Sequence, residues 1–368
     1  MTGKIYRRSF GKHRISRRAL VKGAGVGACL AVAGAMPWSG RRARAASAGK
    51  VVVRTGGGAY EDALRKAIFE PFTAETGIEV VPFATNVAKL NAMVEAHDIQ
   101  VDVADLGEFT TVSFEKRGAL EKIDRSKFTR TNLADISPVE DYYVGENTYA
   151  TVMGYNTAAL AAKHPQSWAE FWDIKAFPGE RMLEDMAAEF PNLEFALLAD
   201  GVPMDKLYPL DVARAFKKLR EIRPHITKWW DSGAVSAQML AGKQVVLGSV
   251  WSGRILALMD ENAPVAIEWN QSARQLQTLC ILKGAPNLEN AHKYIDFALQ
   301  PKPQAEVARL SGYGPVNQKA FDFIDAKMAA RLPTSPEHLK TSFATNARWW
   351  VEHRAEMTDK WQAFLLGE

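Results

Sequence analysis

A short β-branched segment, a glycine turn and a helical segment follow one another near the start of the chain. Residues 51–55 (VVVRT) favour a strand, and three glycines at 56–58 interrupt it. Apolar residues recur at helical spacing through 59–75, and residues 78–82 (IEVVP) form the next β-branched run. A strand–helix–strand order is the crossover that parallel strands need, so this unit predicts a parallel pair.

The same alternation continues along the chain. Further extended segments are predicted at 101–105, 245–248 and 279–282, and helices at 89–96, at 109–117, after Ser252 and at 289–299. The sequence therefore predicts an α/β fold with mainly parallel sheets.

Loops at the carboxyl ends of the predicted strands are the first place to look for a ligand, because parallel sheets bind ligands there. These loops lie at residues 55–58, 106–109, 251–254 and 274–278, with 184–185 as a further candidate.

The N-terminal residues have the pattern of an export signal. Residues 16–22 (SRRALVK) precede a small apolar stretch at 23–37, which is followed by small residues of the A-x-A type. Paired arginines before such a stretch are typical of twin-arginine leaders. We predict a twin-arginine signal peptide at residues 1–45, cleaved after Ala45 or Ala48, and a periplasmic mature chain.

Charge and cysteine content change once this leader is set aside. The chain has 46 Lys and Arg against 42 Asp and Glu, but eleven of the bases and none of the acids lie in residues 1–45. The remainder has 35 bases against 42 acids, a net charge of −7, which gives no basis for a nucleic-acid partner. Cys29 lies in the leader, so Cys280 has no intrachain disulfide partner and is predicted to be a buried strand residue.

Several short segments match one known family in order and spacing. They are residues 74–80 (AETGIEV), 102–106 (DVADL), 118–124 (GALEKID), 153–156 (MGYN), 167–172 (SWAEFW), 249–253 (SVWSG), 283–287 (KGAPN), 312–317 (GYGPVN) and 332–337 (LPTSPE), with Trp349-Trp350. Together they resemble the periplasmic solute-binding proteins of ABC importers, in the spermidine/putrescine-type group.

The resemblance implies a type II periplasmic binding protein fold, in which two α/β lobes joined by crossing strands close on a ligand. Residues 49–152 with 278–322 would form one lobe, and residues 153–277 with 323–368 the other. It further implies a monomer that delivers a small-molecule ligand to an ABC permease in the inner membrane, with no cofactor and no catalytic reaction.

The resemblance also indicates where a ligand is held. Trp251 and Tyr313 match aromatic positions of the polyamine binders, and Asp185 matches an acid that contacts the amine. The family's aromatic–x–Asp at the second crossing is Gln275-Leu276-Gln277 in this chain. A buried dication would then lack carboxylates, which disfavours a polyamine. The candidate ligand-binding residues are Thr55, Gly56, Gly57, Gly58, Tyr60, Glu108, Phe109, Glu184, Asp185, Trp251, Arg254, Gln275, Gln277 and Tyr313.

The glycine turn and nearby arginines suggest a ligand that carries an anion as well as an amine. Glycines at a helix start expose backbone N–H groups, and a helix N-terminus favours negative charge. Arg54, Arg254 and Arg274 are candidate donors to a carboxylate or phosphonate. We hypothesise a γ-amino acid or an aminoalkylphosphonate.

Two alternatives remain open. Tyr142-Tyr143 resembles the paired tyrosines of ferric-ion-binding relatives, although in those proteins the pair lies in another part of the chain. A secreted enzyme acting on a phosphorylated small molecule is the second, although the sequence contains no G-x-S-x-G, H-E-x-x-H, G-x-x-x-x-G-K-[ST] or C-x-x-C motif.

Overall fold

The computed structural model describes residues 49–160, 163–187 and 191–367. The predicted signal peptide at residues 1–45 and both candidate cleavage positions lie outside these residues. No helix in the described ranges is long and apolar enough to cross a membrane.

One mixed sheet organises the described residues. Its strands are β1 Lys50–Thr55, β2 Glu79–Ala84, β3 Val103–Gly107, β4 Tyr143–Asn156, β5 Arg181–Glu184, β6 Ile226–Trp230, β7 Leu247–Trp251, β8 Val265–Ile281, β9 Gly314–Pro315 and β10 Ser342–Ala344. They are ordered β2-β1-β3-β8-β4-β7-β5-β6, with β10 paired to β8 and β9 to β4.

Helices cover this sheet. They are α1 Gly58–Leu64, α2 Glu70–Thr76, α3 Val87–Ala96, α4 Glu108–Lys116, α5 Trp168–Trp172, α6 Asn192–Ala199, α7 Val212–Ile222, α8 Gly233–Ala241, α9 Ser252–Asp260, α10 Leu288–Ala298, α11 Pro301–Ser311, α12 Ala326–Ala329, α13 Pro336–Lys340 and α14 Ala347–Leu366. Single-turn 3₁₀ segments lie at Arg125–Lys127, Leu133–Asp135, Met204–Lys206 and Arg223–His225, and a longer one at Gln318–Phe323.

The first strand–helix–strand unit has the predicted parallel form. β1 pairs in parallel with β2, and a π-helical segment, Arg65–Phe69, joins α1 to α2. Gly57 and Gly58 have φ of 77° and 70°, a left-handed conformation that other residues adopt only with strain. Gly77, with φ 72°, ends α2 in the same way.

The centre of the sheet differs from the expectation of mainly parallel strands. β4 and β8 are 14 and 17 residues long and pair antiparallel over most of their lengths. The segment predicted at 279–282 is only the end of β8. The sequence does not indicate the full length of β8, because residues 265–277 mix polar and apolar side chains and are mostly half-buried.

Buried apolar side chains form distinct clusters at the two ends of the sheet. Around β1 and β3 they include Val51, Leu64, Ile68, Phe72, Tyr294 and Ile295. Around β5 and α14 they include Trp168, Phe171, Leu183, Phe195, Trp350 and Trp361. Cys280 is fully buried in β8, as predicted.

Gly154 lies where β4 passes beneath β7 and α8, and its missing side chain makes this contact possible. A Cβ built there would lie 2.6 Å from Val250 Cγ2 and 2.9 Å from Leu240 Cδ2. We therefore expect Gly154→Ala to lower the free energy of unfolding by about 1–3 kcal/mol through overpacking. Gly56→Ala is the control, because nothing lies within 4 Å of a Cβ at Gly56. Denaturant unfolding measures both, and equal midpoints would refute the close contact.

Candidate ligand-binding site

Polar side chains of β4 and β8 share one face of the sheet. Asn147 lies opposite Gln277, and Tyr149 lies opposite Gln275. Directly opposed residues of an antiparallel pair point to the same side. Gly107 of β3 also pairs with Gln277, so the end of β3 reaches this face. Two predicted residues, Gln275 and Gln277, therefore share this face with Asn147 and Tyr149, which the sequence analysis did not select.

A β-bulge adds an acidic side chain to this face. Gly145 pairs with Thr278 and Asn147 with Gln277, which leaves Glu146 as the extra residue. Consecutive strand residues normally point to opposite faces. At the bulge, however, the side chains of both Glu146 and Asn147 contact the Tyr60 hydroxyl. This hydroxyl donates to Glu146 Oε2 (3.1 Å) and accepts from Asn147 Nδ2 (2.5 Å).

Glu146 and Asp105 form a buried pair of carboxyl groups that hydrogen-bond each other. Gln277 Nε2 donates to Asp105 Oδ1 at 2.5 Å. Asp105 Oδ2 and Glu146 Oε1 meet no N–H or O–H donor of the described residues. Two carboxyl groups in contact require a proton between them, because two buried like charges repel.

The pKa values of the pair follow from this burial. Loss of water raises the pKa of Asp105 to about 6, and the Gln277 amide and the Arg54 charge oppose that rise. Burial and the neighbouring Asp105 carboxylate raise the pKa of Glu146 well above its usual range. At neutral pH the pair therefore holds one proton and one negative charge.

Aromatic rings lie beside the pair. The Tyr60 and Tyr313 ring centroids are 5.3 Å apart, and those of Tyr149 and Tyr313 are 6.1 Å apart. The sequence analysis named Tyr60 and Tyr313, and Tyr149 on β4 completes the set. Electron-rich ring faces next to a negative charge favour a cation.

A second acidic group lies further along the same face. Trp251 Nε1 donates to Glu184 Oε1 at 3.2 Å, and the Trp251 ring packs edge-on against Trp230. Thr151 Oγ1 donates to Gln275 Oε1 at 3.0 Å and lies 3.4 Å from Glu184 Oε2. Three predicted residues, Glu184, Trp251 and Gln275, therefore meet through Thr151.

A cavity of about 500 Å³ lies between α3, α4 and α14 and reaches Tyr149 and Gln275 of this polar face. Its lining residues include Asn91, Glu108, Phe109, Ser113, Arg117, Tyr149, Gln275, Trp350 and Arg354. Predicted residues Glu108 and Phe109 thus border a space large enough for a small solute. Burial raises the pKa of Glu108, and a 2.9 Å hydrogen bond from the Tyr143 hydroxyl opposes this.

Cationic groups of the cavity come from residues that the sequence analysis did not select. Arg117 at the end of α4 donates to Asn91 Oδ1 at 2.7 Å, and Arg354 on α14 donates to the Met186 carbonyl at 2.7 Å. Arg117 directly follows α4 and Arg354 lies within α14, and both have other charged residues near them in the sequence. No local pattern distinguishes them from surface arginines.

The arginines proposed for an anion lie elsewhere. Arg54 is buried, and its guanidinium donates to the carbonyls of Thr85 and Asp105. Arg254 is exposed on α9, and neither it nor the half-buried Arg274 lines the cavity. The structure thus gives Arg54 a structural partner set in place of the ligand role that was expected.

The glycine turn does not present a vacant anion site. The Thr55 hydroxyl accepts from Gly57 N at 3.3 Å and donates to the Glu61 carboxylate in the first turn of α1. A carboxylate at that helix start repels a second anion. Gly56 and Gly58 are exposed.

Asp185 and the tyrosine pair also have partners within the fold. The Asp185 carboxylate accepts from Ala187 N at 2.8 Å and from Trp361 Nε1 at 3.3 Å, so it caps a turn against α14. Tyr143 is buried on Glu108, whereas Tyr142 packs against the Lys122 ammonium. The described residues contain no group of three or more His, Cys, Asp or Glu arranged to hold a metal.

Glu194 on α6 supports the cavity wall from behind. Its Oε1 accepts from Trp350 Nε1 at 2.8 Å and from the Tyr208 hydroxyl. Burial raises the pKa of Glu194 to about 7, although these hydrogen bonds oppose the rise.

We expect Glu194→Gln to reduce the pH dependence of stability. A carboxyl whose folded pKa is raised contributes stability that is present below its unfolded pKa of about 4.5 and is lost as pH rises through about 7. Glutamine keeps the acceptor and removes the titration, so the variant should lack a loss of about 3 kcal/mol across this window. Chemical denaturation between pH 4.5 and 8 measures the difference. Parallel curves for both proteins would contradict the assignment.

Known proteins share both the sequence pattern and the fold. A family model for bacterial extracellular solute-binding proteins matches residues 67–334. The γ-aminobutyric acid-binding protein of Pseudomonas aeruginosa is 35% identical over 317 residues, which cover 84% of this chain and 88% of that protein. The spermidine/putrescine-binding periplasmic protein of Salmonella typhimurium is 27% identical over 281 residues, covering 73% and 76%.

A solved structure gives the same assignment. An ABC transporter substrate-binding protein from Bradyrhizobium japonicum superposes with a TM-score of 0.80 at 37% identity, covering 86% of this chain and 99% of that one. The predicted family and the type II periplasmic binding protein fold are confirmed. The chain therefore belongs to the bacterial extracellular solute-binding proteins.

Proposed function

We propose that the protein binds a γ-amino acid such as γ-aminobutyrate and delivers it to an ABC permease in the inner membrane. The observation that carries this proposal is the cavity, which is lined by Tyr149 and Gln275 on the sheet side, by Glu108 at the start of α4, and by Arg117 and Arg354. A small zwitterion matches such a division of charge. The likeness to a γ-aminobutyric acid-binding protein over most of both chains supports the same ligand class.

The ligand carboxylate would face the helices. Arg117 and Arg354 line the cavity there, and a guanidinium suits a carboxylate because two parallel N–H groups match its two oxygens. The ammonium would face the sheet, where Tyr149 and Gln275 form the wall. A diamine such as putrescine would place a second ammonium against the arginines, which costs affinity.

Calorimetric titration tests this ligand class. We expect γ-aminobutyrate to bind at one site, at least about 10-fold more tightly than putrescine or butyrate, since each of those lacks one of the two charge-assisted contacts. Arg354→Gln should weaken γ-aminobutyrate binding about 10-fold. Arg348→Gln, on the same helix but paired with Glu115 and Glu140 outside the cavity, is the control. Tighter binding of putrescine than of γ-aminobutyrate would refute the proposal.

The protein would act as a carrier and not as an enzyme. Residues 49–152 with 278–322 would close on residues 153–277 with 323–368 around the solute, as one monomer. The continuous strands β4 and β8 support this division, because a hinge needs only a few residues that absorb backbone rotation. Ligand recovered unchanged after denaturation distinguishes this role from that of an enzyme acting on a phosphorylated small molecule.

The twin-arginine motif would direct export to the periplasm. We expect replacement of Arg17 and Arg18 by lysine to retain the protein in the cytoplasm, because the paired arginines are the feature that identifies this class of leader. Replacing Arg41 and Arg42 by lysine is the matched control and should leave export intact. Cell fractionation measures both, and periplasmic recovery of the first variant would contradict this route.

A further inference from the structure

We propose that the carboxyl pair of Asp105 and Glu146, sharing one proton, is the subsite that receives the ligand ammonium. This inference rests on the proposed function and specifies the residues at the amine end. It assigns the single negative charge there to two side chains, of which Asp105 accepts a hydrogen bond from Gln277 and Glu146 accepts one from Tyr60.

Unused acceptor atoms point to a donor-rich ligand group. Asp105, Glu146 and Asn147 are at most 1% exposed. Asp105 Oδ2, Glu146 Oε1 and Asn147 Oδ1 meet no donor of the described chain. Buried polar atoms are normally hydrogen-bonded, so such a cluster needs an explanation. One shared proton occupies part of it, and each carboxyl oxygen can still accept another hydrogen bond.

An alkyl ammonium fits what is left. It carries three N–H donors and no acceptor, whereas the cluster offers acceptors only. Asn147 adds an acceptor that does not depend on the protonation of the carboxyl pair, since its amide is uncharged. The amide nitrogen donates to the Tyr60 hydroxyl, which in turn donates to Glu146. The rings of Tyr60, Tyr313 and Tyr149 supply the aromatic faces that favour a cation.

The cavity gives the amine an approach to this cluster. Tyr149 and Gly107 line the cavity, and Tyr149 contacts the Tyr313 ring that packs on Tyr60. Asp105 precedes Gly107 by two residues, so both lie on the same face of β3. A short amino acid with its carboxylate near α14 would therefore direct its amine toward the pair.

The charge of the subsite depends on pH. Above about pH 6 the pair carries one negative charge, and below it a second proton makes the pair neutral. The titratable groups around it are Tyr60 on α1, Arg54 on β1, Cys280 on β8 and Tyr294 on α10. Burial raises the pKa of both tyrosines, and that of Cys280 to about 12, whereas an arginine stays charged, so none of these changes charge near pH 6.

Amide substitutions test the shared charge. Glu146→Gln donates its amide to Asp105, and Asp105→Asn donates to Glu146, so each single variant keeps one negative charge. We expect each to change γ-aminobutyrate affinity less than about 3-fold. The double variant has no charge and should lose about 10- to 100-fold, the range for a hydrogen bond to a charged group. Asp102→Asn removes another buried carboxylate of the same segment, which accepts from Val52 N and Asn287 N, and should lower stability without this loss.

Wild-type protein supplies a measurement that does not depend on the folding of a variant. An alkyl ammonium stays charged across about pH 5 to 8, so affinity should fall up to about 10-fold per pH unit below about pH 6. Glu108 and Glu194 also have raised pKa values. Affinity measurements on the double variant and on Glu194→Gln separate the contribution of the carboxyl pair from those of other acids. Only the double variant should lose the fall in affinity near pH 6.

The outcomes separate the two proposals. If γ-aminobutyrate binds the folded double variant as tightly as wild type, with the same pH profile, the acid pair is not the amine subsite and the carrier function stands. If wild type binds no amino acid at any pH, both proposals fail. A loss of affinity in each single variant as large as that in the double variant would also overturn the shared-charge subsite.

Discussion

The antiparallel pairing of β4 with β8 is the constraint on which the candidate binding site depends. These strands run through the middle of the sheet, between the cluster of buried apolar residues around β1 and β3 and the cluster around β5 and α14. Their register places Asn147 opposite Gln277 and Tyr149 opposite Gln275. A shift of one residue would turn every one of these side chains to the other face. The polar surface under the cavity is therefore a property of the register as much as of residue type.

Burial of charged groups is the second determinant of the candidate site, and the fold stabilises these groups in different ways. Arg54 is buried, but the carbonyls of Thr85 and Asp105 accept from its guanidinium. Glu194 is buried with two neutral donors, and its pKa rises. Asp105 and Glu146 are buried against each other and reduce their charge by sharing a proton. Glu194 Oε2, Asp105 Oδ2 and Glu146 Oε1 all lack a donor among the described residues. Only the Asp105–Glu146 pair also lies beside the rings of Tyr60 and Tyr313, which is why we assign the ligand amine to it.

The sequence predicted the fold class, and it also selected part of the candidate site, for identifiable reasons. The helix after β1 was found because apolar spacing and Gly77 mark its face and its end. Gln275, Gln277, Glu108 and Trp251 were found because they follow strands or lie at a crossing.

Other site residues carry no such local signal. Asp105 lies within a strand whose neighbours are buried apolar residues, and nothing in the sequence shows that its side chain meets a second acid. Glu146 depends on a bulge, which only the partner strand defines. Arg354 and Trp350 depend on the return of α14 to the cavity, about 200 residues after β4. Long-range contacts of this kind are set by tertiary packing, and the local periodicity of a sequence does not predict them.

The position of α14 links a buried carboxyl group that affects stability to the wall of the candidate ligand cavity. Trp350 forms part of the cavity wall and donates to Glu194, and Arg354 of the same helix reaches the Met186 carbonyl after β5. The first contact fixes an aromatic ring of the cavity wall, and the second fixes a guanidinium that would meet the ligand carboxylate. Deprotonation of Glu194 strengthens its role as an acceptor for Trp350 but places an uncompensated charge in the core. The same group therefore orders the cavity wall and lowers global stability as pH rises, whereas the Asp105–Glu146 pair gains its binding charge over a neighbouring pH range.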